Sequence, residues 1–210
     1  LVAIRKYHLP SNEAALKYVI NGGIATAITL FGMSYLFGLT GTTNIKEIGE
    51  MVTSFTDAPL QYVIGIAFFM IFVGFSFKMA VAPFHMWAPD VYQGAPTPVT
   101  GYLSVISKGS AAFGFMVILV HVFGSVYSIA WEWMLYALIV LTITLGNLFA
   151  IRQRNMKRFL AFSSVSQAGY IMLGVIAANE MGLASLMYYV LVYILSNLAA
   201  FGVIGAIENK

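Results

Sequence analysis

Long apolar runs, interrupted at short intervals by glycine, proline and small charged clusters, dominate this chain. Six of them reach the length a helix needs to cross a bilayer, about 20 residues for roughly 30 Å of hydrocarbon. The first runs from Ala14 to about Leu39, opened by Ser11-Asn12-Glu13 as an N-cap signal. The second stays apolar from Leu60 to Ala82 and then meets Pro83. The remaining four run from Pro98 to about Phe123, Ile129 to Ile151, about Lys157 to Ala178, and Leu183 to Ile207. Connections are short except 40–59, where Gly41, Asn44, Gly49 and Pro59 read as loop. The pattern predicts an all-α polytopic membrane protein with six transmembrane helices. No basic segment precedes a short apolar run with a cleavage site, so no signal peptide is expected. The chain begins at Leu1 without methionine and is expected to be a piece of something longer.

The second span is too long for one straight helix. Leu60 to Tyr92 is 33 residues, which would extend about 50 Å at 1.5 Å per residue. Pro83 removes an intrahelical hydrogen bond, and Pro89 follows. One expectation is a helix broken around Lys78 to Pro83 and continued by a short half-helix through His85, Trp87 and Asp90, since broken helices let interrupted backbone face an ion-bearing cavity. The other is a full helix ending near Ala82, followed by a re-entrant or interfacial loop.

Composition narrows the chemistry. Of 210 residues, 60% are hydrophobic and only 9% charged, against about 25% charged in an ordinary soluble domain. Eleven basic and eight acidic residues leave a formal charge of +3, scattered rather than gathered into the stripe a nucleic-acid binder needs. The absence of cysteine excludes thiolate metal clusters, disulfides and a cysteine nucleophile. Six crossings put Arg5, Lys6, Arg152, Arg154, Lys157, Arg158 and Lys210 on one face, and only Lys46 on the other, beside Glu47, Glu50, Asp57, Glu132 and Glu180. That asymmetry predicts that the basic face is cytoplasmic, with Trp131 and Trp133 at the outer interface.

Lysines inside the spans are the unusual feature. Lys108 lies ten residues beyond Pro98, about 15 Å into the bilayer. Lys78 sits at the proposed break, and Lys17 one turn inside the first span. An unpaired lysine at mid-bilayer costs roughly 2.5–3.5 kcal/mol on insertion scales. No Asp or Glu lies in the middle of any span, so the expected partners are water, hydroxyls, another chain, or carboxylates outside this piece. Desolvation lets a lysine both take and give a proton, and lysines separated by hydroxyls form a relay. Ser104, Ser107 and Ser110 flank Lys108, and Ser163, Ser166, Gln167 and Tyr170 share one face of the fifth span.

Each residue also admits a structural reading. Lys17 is within reach of headgroups by snorkelling, as is Lys78 if its helix is unbroken, an escape that Lys108 lacks. His85 suits a proton shuttle or a hydrogen bond that holds the broken segment. His121, near the outer end of its span, reads as an interface residue, and Lys157 belongs to a basic cluster whose default role is topological. The Ser163–Tyr170 face doubles as helix-packing surface. Asp90 shares a face with Arg152 and Arg154, a possible ion pair. A shift of 170 residues aligns Ala14, Leu16, Tyr18, Ile24, Phe31 and Gly32 with Ala184, Leu186, Tyr188, Ile194, Phe201 and Gly202, a faint internal repeat in which Lys17 falls opposite Met187.

The stretch Gly74-Phe75-Ser76-Phe77-Lys78-Met79-Ala80-Val81-Ala82-Pro83-Phe84-His85-Met86-Trp87-Ala88-Pro89-Asp90, continued by Val91-Tyr92-Gln93-Gly94-Ala95-Pro96-Thr97-Pro98-Val99, resembles the signature of the antiporter-like membrane subunits of respiratory complex I (NADH-quinone oxidoreductase). Glu13-Ala14-Ala15-Leu16-Lys17-Tyr18, the Ser107-Lys108 pair, Gly146-Asn147-Leu148 and Met156-Lys157-Arg158-Phe159-Leu160-Ala161-Phe162-Ser163-Ser164 resemble its subunit N branch. The continuation after Asp90 and the Ser107-Lys108 pair depart from the pattern of the sister subunits and the multisubunit cation/proton antiporters.

That resemblance implies part of an inverted-repeat fold, with residues 1–123 closing a first repeat and 129–210 opening a second. It implies that Lys17, Lys78 and Lys108 belong to a proton relay, with Lys157 and His85 as secondary members. It places the family's key glutamate upstream of Leu1 and the second repeat's central lysine beyond Lys210. It implies that NADH, FMN, iron–sulfur clusters and quinone are held by partner subunits; this chain has no cysteine and no GxGxxG after a strand, so no cofactor is expected in it. Expected partners are the other membrane subunits of the complex and the lipid bilayer of a bacterial inner membrane, with no nucleic acid. The alternatives are a subunit of a free-standing cation/proton antiporter, which would exchange ions without NADH or quinone turnover, and a scaffold whose lysines are lipid anchors.

Overall fold

A computed structural model of the chain describes residues 2, 7–124, 129–177 and 179–208. Its helices are α1 (Leu9–Thr40), α2 (Ile45–Ser54), α3 (Ala58–Met79), α4 (Trp87–Gly94), α5 (Thr97–His121), α6 (Ile129–Ile151), α7 (Met156–Ala177) and α8 (Glu180–Glu208). Six of these, all but α2 and α4, are long and apolar enough to cross a membrane, as the sequence predicts. Arg5, Lys6 and Lys210 lie outside the described residues.

Two boundaries differ from expectation. The first span begins at Leu9 behind His8, with Pro10 in its first turn, rather than at a cap formed by Ser11-Asn12-Glu13. Proline there costs no hydrogen bond, because the first-turn N–H groups have no intrahelical partner. The 40–59 segment is not all loop: it contains α2, strongly amphipathic, capped by the Asn44 side chain on Lys46 N at 3.1 Å, with Glu47 in the first turn. Gly41 ends α1 in the left-handed conformation, and a glycine-rich reading of this stretch mistakes caps for loop.

Gly49 shows how α2 is held. It is buried, and a Cβ there would overlap the carbonyl oxygen of His121 at the end of α5. Gly49→Val is expected to push α2 off α5 and cost roughly 1–3 kcal/mol, the range for overpacking a tight contact. Gly23→Ala, with nothing within 4 Å of the new methyl, is expected to leave the thermal unfolding midpoint in detergent unchanged or slightly raised.

Helix α1 is the rail against which the broken span is laid. Going down α3 and α4, Gly32 packs against Met70 and Ala67, Gly74 against Thr29, Gly22 against the Phe77 ring, and Gly94 against Pro10 and Ala14. The pair is antiparallel, and α3 ends part way along α1, with α4 covering the rest. Near the other end Trp131 stacks on Phe68 at 4.6 Å between ring centroids, while Trp133 is exposed. Trp131 thus packs against the α3 core, and Trp133 meets Tyr136 at 6.4 Å between ring centroids.

Candidate functional site

The break between α3 and α4 follows from Pro83. A helix continued to Pro83 would drive its ring into the carbonyl of Met79, and α3 ends at Met79. Ala80 takes the left-handed conformation (φ 59°) as C-cap, a geometry costing an L-residue roughly 1–2 kcal/mol. Its N–H donates to Phe77 O at 3.1 Å and that of Val81 to Ser76 O at 2.9 Å. The Trp87 indole N–H donates to Phe77 O at 3.0 Å, and Ala82 N–H donates to the Thr142 hydroxyl on α6 at 3.0 Å. Residues 79–82 are fully buried. Non-helical backbone at membrane depth is tolerated only when buried in protein or lining water, and these donors meet the first condition.

The half-helix differs from expectation at its start. His85 lies in the break, not in α4, which begins at Trp87 because Pro89 fits only a first helical turn. His85 is buried, and among the described residues neither ring nitrogen has a hydrogen-bond partner. The Ser76 and Ser166 hydroxyls are in the same condition.

Lys108 is 0% exposed. Its Nζ donates to the Ser164 hydroxyl at 2.5 Å and to the Ser164 carbonyl at 2.7 Å. Ser164 Oγ donates to the Tyr92 hydroxyl at 3.3 Å, and Ser104, one turn before Lys108, meets the Tyr193 hydroxyl at 3.1 Å. Hydroxyls from α4, α7 and α8 thus gather around the stretch of α5 that carries Lys108. The hydroxyl expectation holds in kind but not in residue. Ser110 is exposed and bonded to Ile106 O, Ser107 lines a groove, and on α7 the partner is Ser164 rather than the Ser163–Tyr170 face. That face instead offers Gln167 to the Tyr189 hydroxyl.

Lys78 faces a groove of about 800 Å³ walled by α1, α3 and α5, with Thr26, Thr29, Tyr102 and Ser107 among its lining. It is exposed in the isolated chain, with no hydrogen bond or ion pair among the described residues.

Three further cations, Lys17, Lys157 and Arg158, are paired with carboxylates. Lys17 Nζ bonds Glu13 and Asp90, each at 2.6 Å. Asp90 takes its other bond from Arg158 at 2.6 Å, correcting the expectation of Arg152 or Arg154: α7 presents its first turn, not the loop before it, to α4. Burial pushes the Asp90 carboxyl up, and the hydrogen bonds and charges of Lys17 and Arg158 outweigh it, holding it below its ordinary value. Lys157 is buried rather than displayed with its basic neighbours, pairing with Glu208 at 2.9 Å and donating to Ala95 O at 3.3 Å. Thr97 donates to the same Glu208 carboxylate.

A family described as NADH:quinone oxidoreductase/Mrp antiporter, TM, matches residues 1–210. A Geobacillus sp. protein named NADH-quinone oxidoreductase subunit N is 48% identical over 223 residues, covering 100% of this chain and 44% of that protein. The chain therefore spans less than half the length of such relatives. A chain of respiratory complex I from Thermus thermophilus superposes with a TM-score of 0.77 at 34% identity, covering 98% of this chain and 42% of that one. A chain of the Mrp complex from Dietzia sp. gives 0.84 at 27% identity, covering 96% and 36%.

Proposed function

Because this chain belongs to the NADH:quinone oxidoreductase/Mrp antiporter membrane family, we propose that it is the middle of a proton-translocating membrane subunit of an NADH:quinone oxidoreductase. The observation that carries this reading is Lys108, an ammonium enclosed by protein whose hydrogen-bond acceptors among the described residues are all neutral. Such a cation is held at high cost unless its charge is used. A buried lysine without a carboxylate partner responds strongly to a charge arriving nearby.

Lys78 is the entry side of the relay, at the break and open to the groove. His85 links it to Lys108. Lys17 and Lys157 are secondary members, tied to carboxylates at the basic end, which faces the cytoplasm. Residues 1–123 close one antiporter-like repeat and 129–210 open the next. Electron transfer, NADH, flavin, iron–sulfur clusters and quinone belong to partner subunits, whose signals change the charges here.

The test is NADH-driven acidification of vesicles carrying the assembled complex with the full-length protein. Lys78→Ala is expected to lower pumping far more than Lys46→Ala, which alters an exposed residue on α2. Normal pumping in Lys78→Ala overturns the relay. Cation-for-proton exchange by the protein without NADH would assign it instead to the free-standing antiporters.

A further inference from the structure

We propose that Ser164 is a positioning residue for Lys108, kept in that role by the Tyr92 hydroxyl. The proposal rests on the relay reading above and adds to it the group through which the two halves of the chain meet. Lys108 and Tyr92 stand on α5 and α4, before the loop that joins α5 to α6; Ser164 stands on α7, after it. Among the described residues, the only side-chain acceptor for the ammonium therefore comes from the second half.

The hydrogen-bond arithmetic sets the direction of the hydroxyl. A serine has one proton and two lone pairs. Ser164 spends its proton on Tyr92, which turns a lone pair toward Lys108 Nζ. The adjacent Ser164 carbonyl takes a second ammonium proton, so the third N–H is the one left for exchange. Tyr92 is itself fully buried and fixed by packing against Trp87 and Phe201. The main chain at Tyr92 also accepts the Thr100 hydroxyl. Without the phenol, the serine proton has no fixed acceptor and swings through the position the ammonium uses.

The measurement is proton pumping and quinone reduction by the assembled complex carrying Ser164→Ala, Ser164→Thr, Tyr92→Phe and the Ser164→Ala/Tyr92→Phe double variant, with complex content read from native gels. Ser164→Ala is expected to lower pumping by about tenfold, the scale of one lost hydrogen bond to a charged group, and Ser164→Thr to restore most of it. Tyr92→Phe is expected to lose less. The double variant is expected to be no worse than Ser164→Ala alone, because Tyr92 acts through the serine. Additive losses, or equal pumping by Ser164→Ala and wild type, overturn the proposal. Equal pumping by Ser164→Ala in a complex that Lys108→Met disables overturns the positioning role and leaves the relay standing; equal pumping in both removes the relay itself.

Discussion

Lys108→Met in the full-length protein leaves its complex assembled and cuts proton pumping by about a hundredfold, the low end of what a positioned proton-transfer group contributes. The two halves of that expectation have opposite physical origins. Methionine matches the length of lysine and removes a cation that is 0% exposed and held, among the described residues, by neutral acceptors alone. Stability is therefore expected to hold or rise, since insertion scales set the cost of a lysine at this depth at roughly 2.5–3.5 kcal/mol. Pumping is expected to fall because the side chains hydrogen-bonded around Lys108, those of Ser164, Tyr92, Ser104 and Tyr193, are all hydroxyls, which do not replace an ammonium as a proton carrier near neutral pH. Thermal stability in detergent and vesicle acidification are the paired measurements. Loss of both together would mean that Lys108 is structural.

Asp90→Ala comes next in expected effect. One carboxylate ties Lys17 of α1 and Arg158 of α7 to α4, with both bonds at 2.6 Å. Removing it leaves Lys17 with Glu13, which is 65% exposed, and leaves Arg158 with the Gln93 side chain at 3.0 Å. The half-helix then loses its charged ties to both neighbours and keeps only its packing and neutral hydrogen bonds, and coupled activity is expected to fall by about tenfold through misplacement of the groups above it. Glu13→Gln is expected to be nearly silent.

The pH dependence has a definite sign. The Asp90 carboxyl is held below its ordinary value of 3.8, with burial opposing and the two cations prevailing. A depressed carboxyl contributes stability that is complete above its unfolded value and is lost as pH falls through the folded one. The tie is thus fully formed at neutral pH and opens only in strong acid, below about pH 4. A change in wild-type activity between pH 5 and pH 9 that survives in Asp90→Asn belongs to other groups.

What could be read in advance divides along physical lines. Apolar length fixes a membrane span almost regardless of neighbours, so the six spans and the break at Pro83 are visible in the residue order. Helix α2 is not, because Asn44 and Gly49 are turn residues by composition while here one caps the helix and the other allows its packing. Lys108 announces itself as a charge among apolar residues. Ser164, Tyr92 and Tyr193 do not, since a hydroxyl in a span is most often helix-packing surface and only the crossing of four helices turns these three inward. The pairing of Asp90 with Arg158 rather than Arg152 or Arg154 depends on which turn of α7 reaches α4, a tertiary fact with no local signal. The stretch from Gly74 to Val99 contains the break between α3 and α4, because proline spacing there dictates the backbone itself.

The Ala82 amide is satisfied by Thr142, a side chain on the other half of the molecule. The kink of the interrupted span is thus geared to α6. Any straightening or tilting at Pro83 must either strand a peptide dipole in a dry interior or drag α6 along with it, which gives the two halves a mechanical linkage independent of any charge.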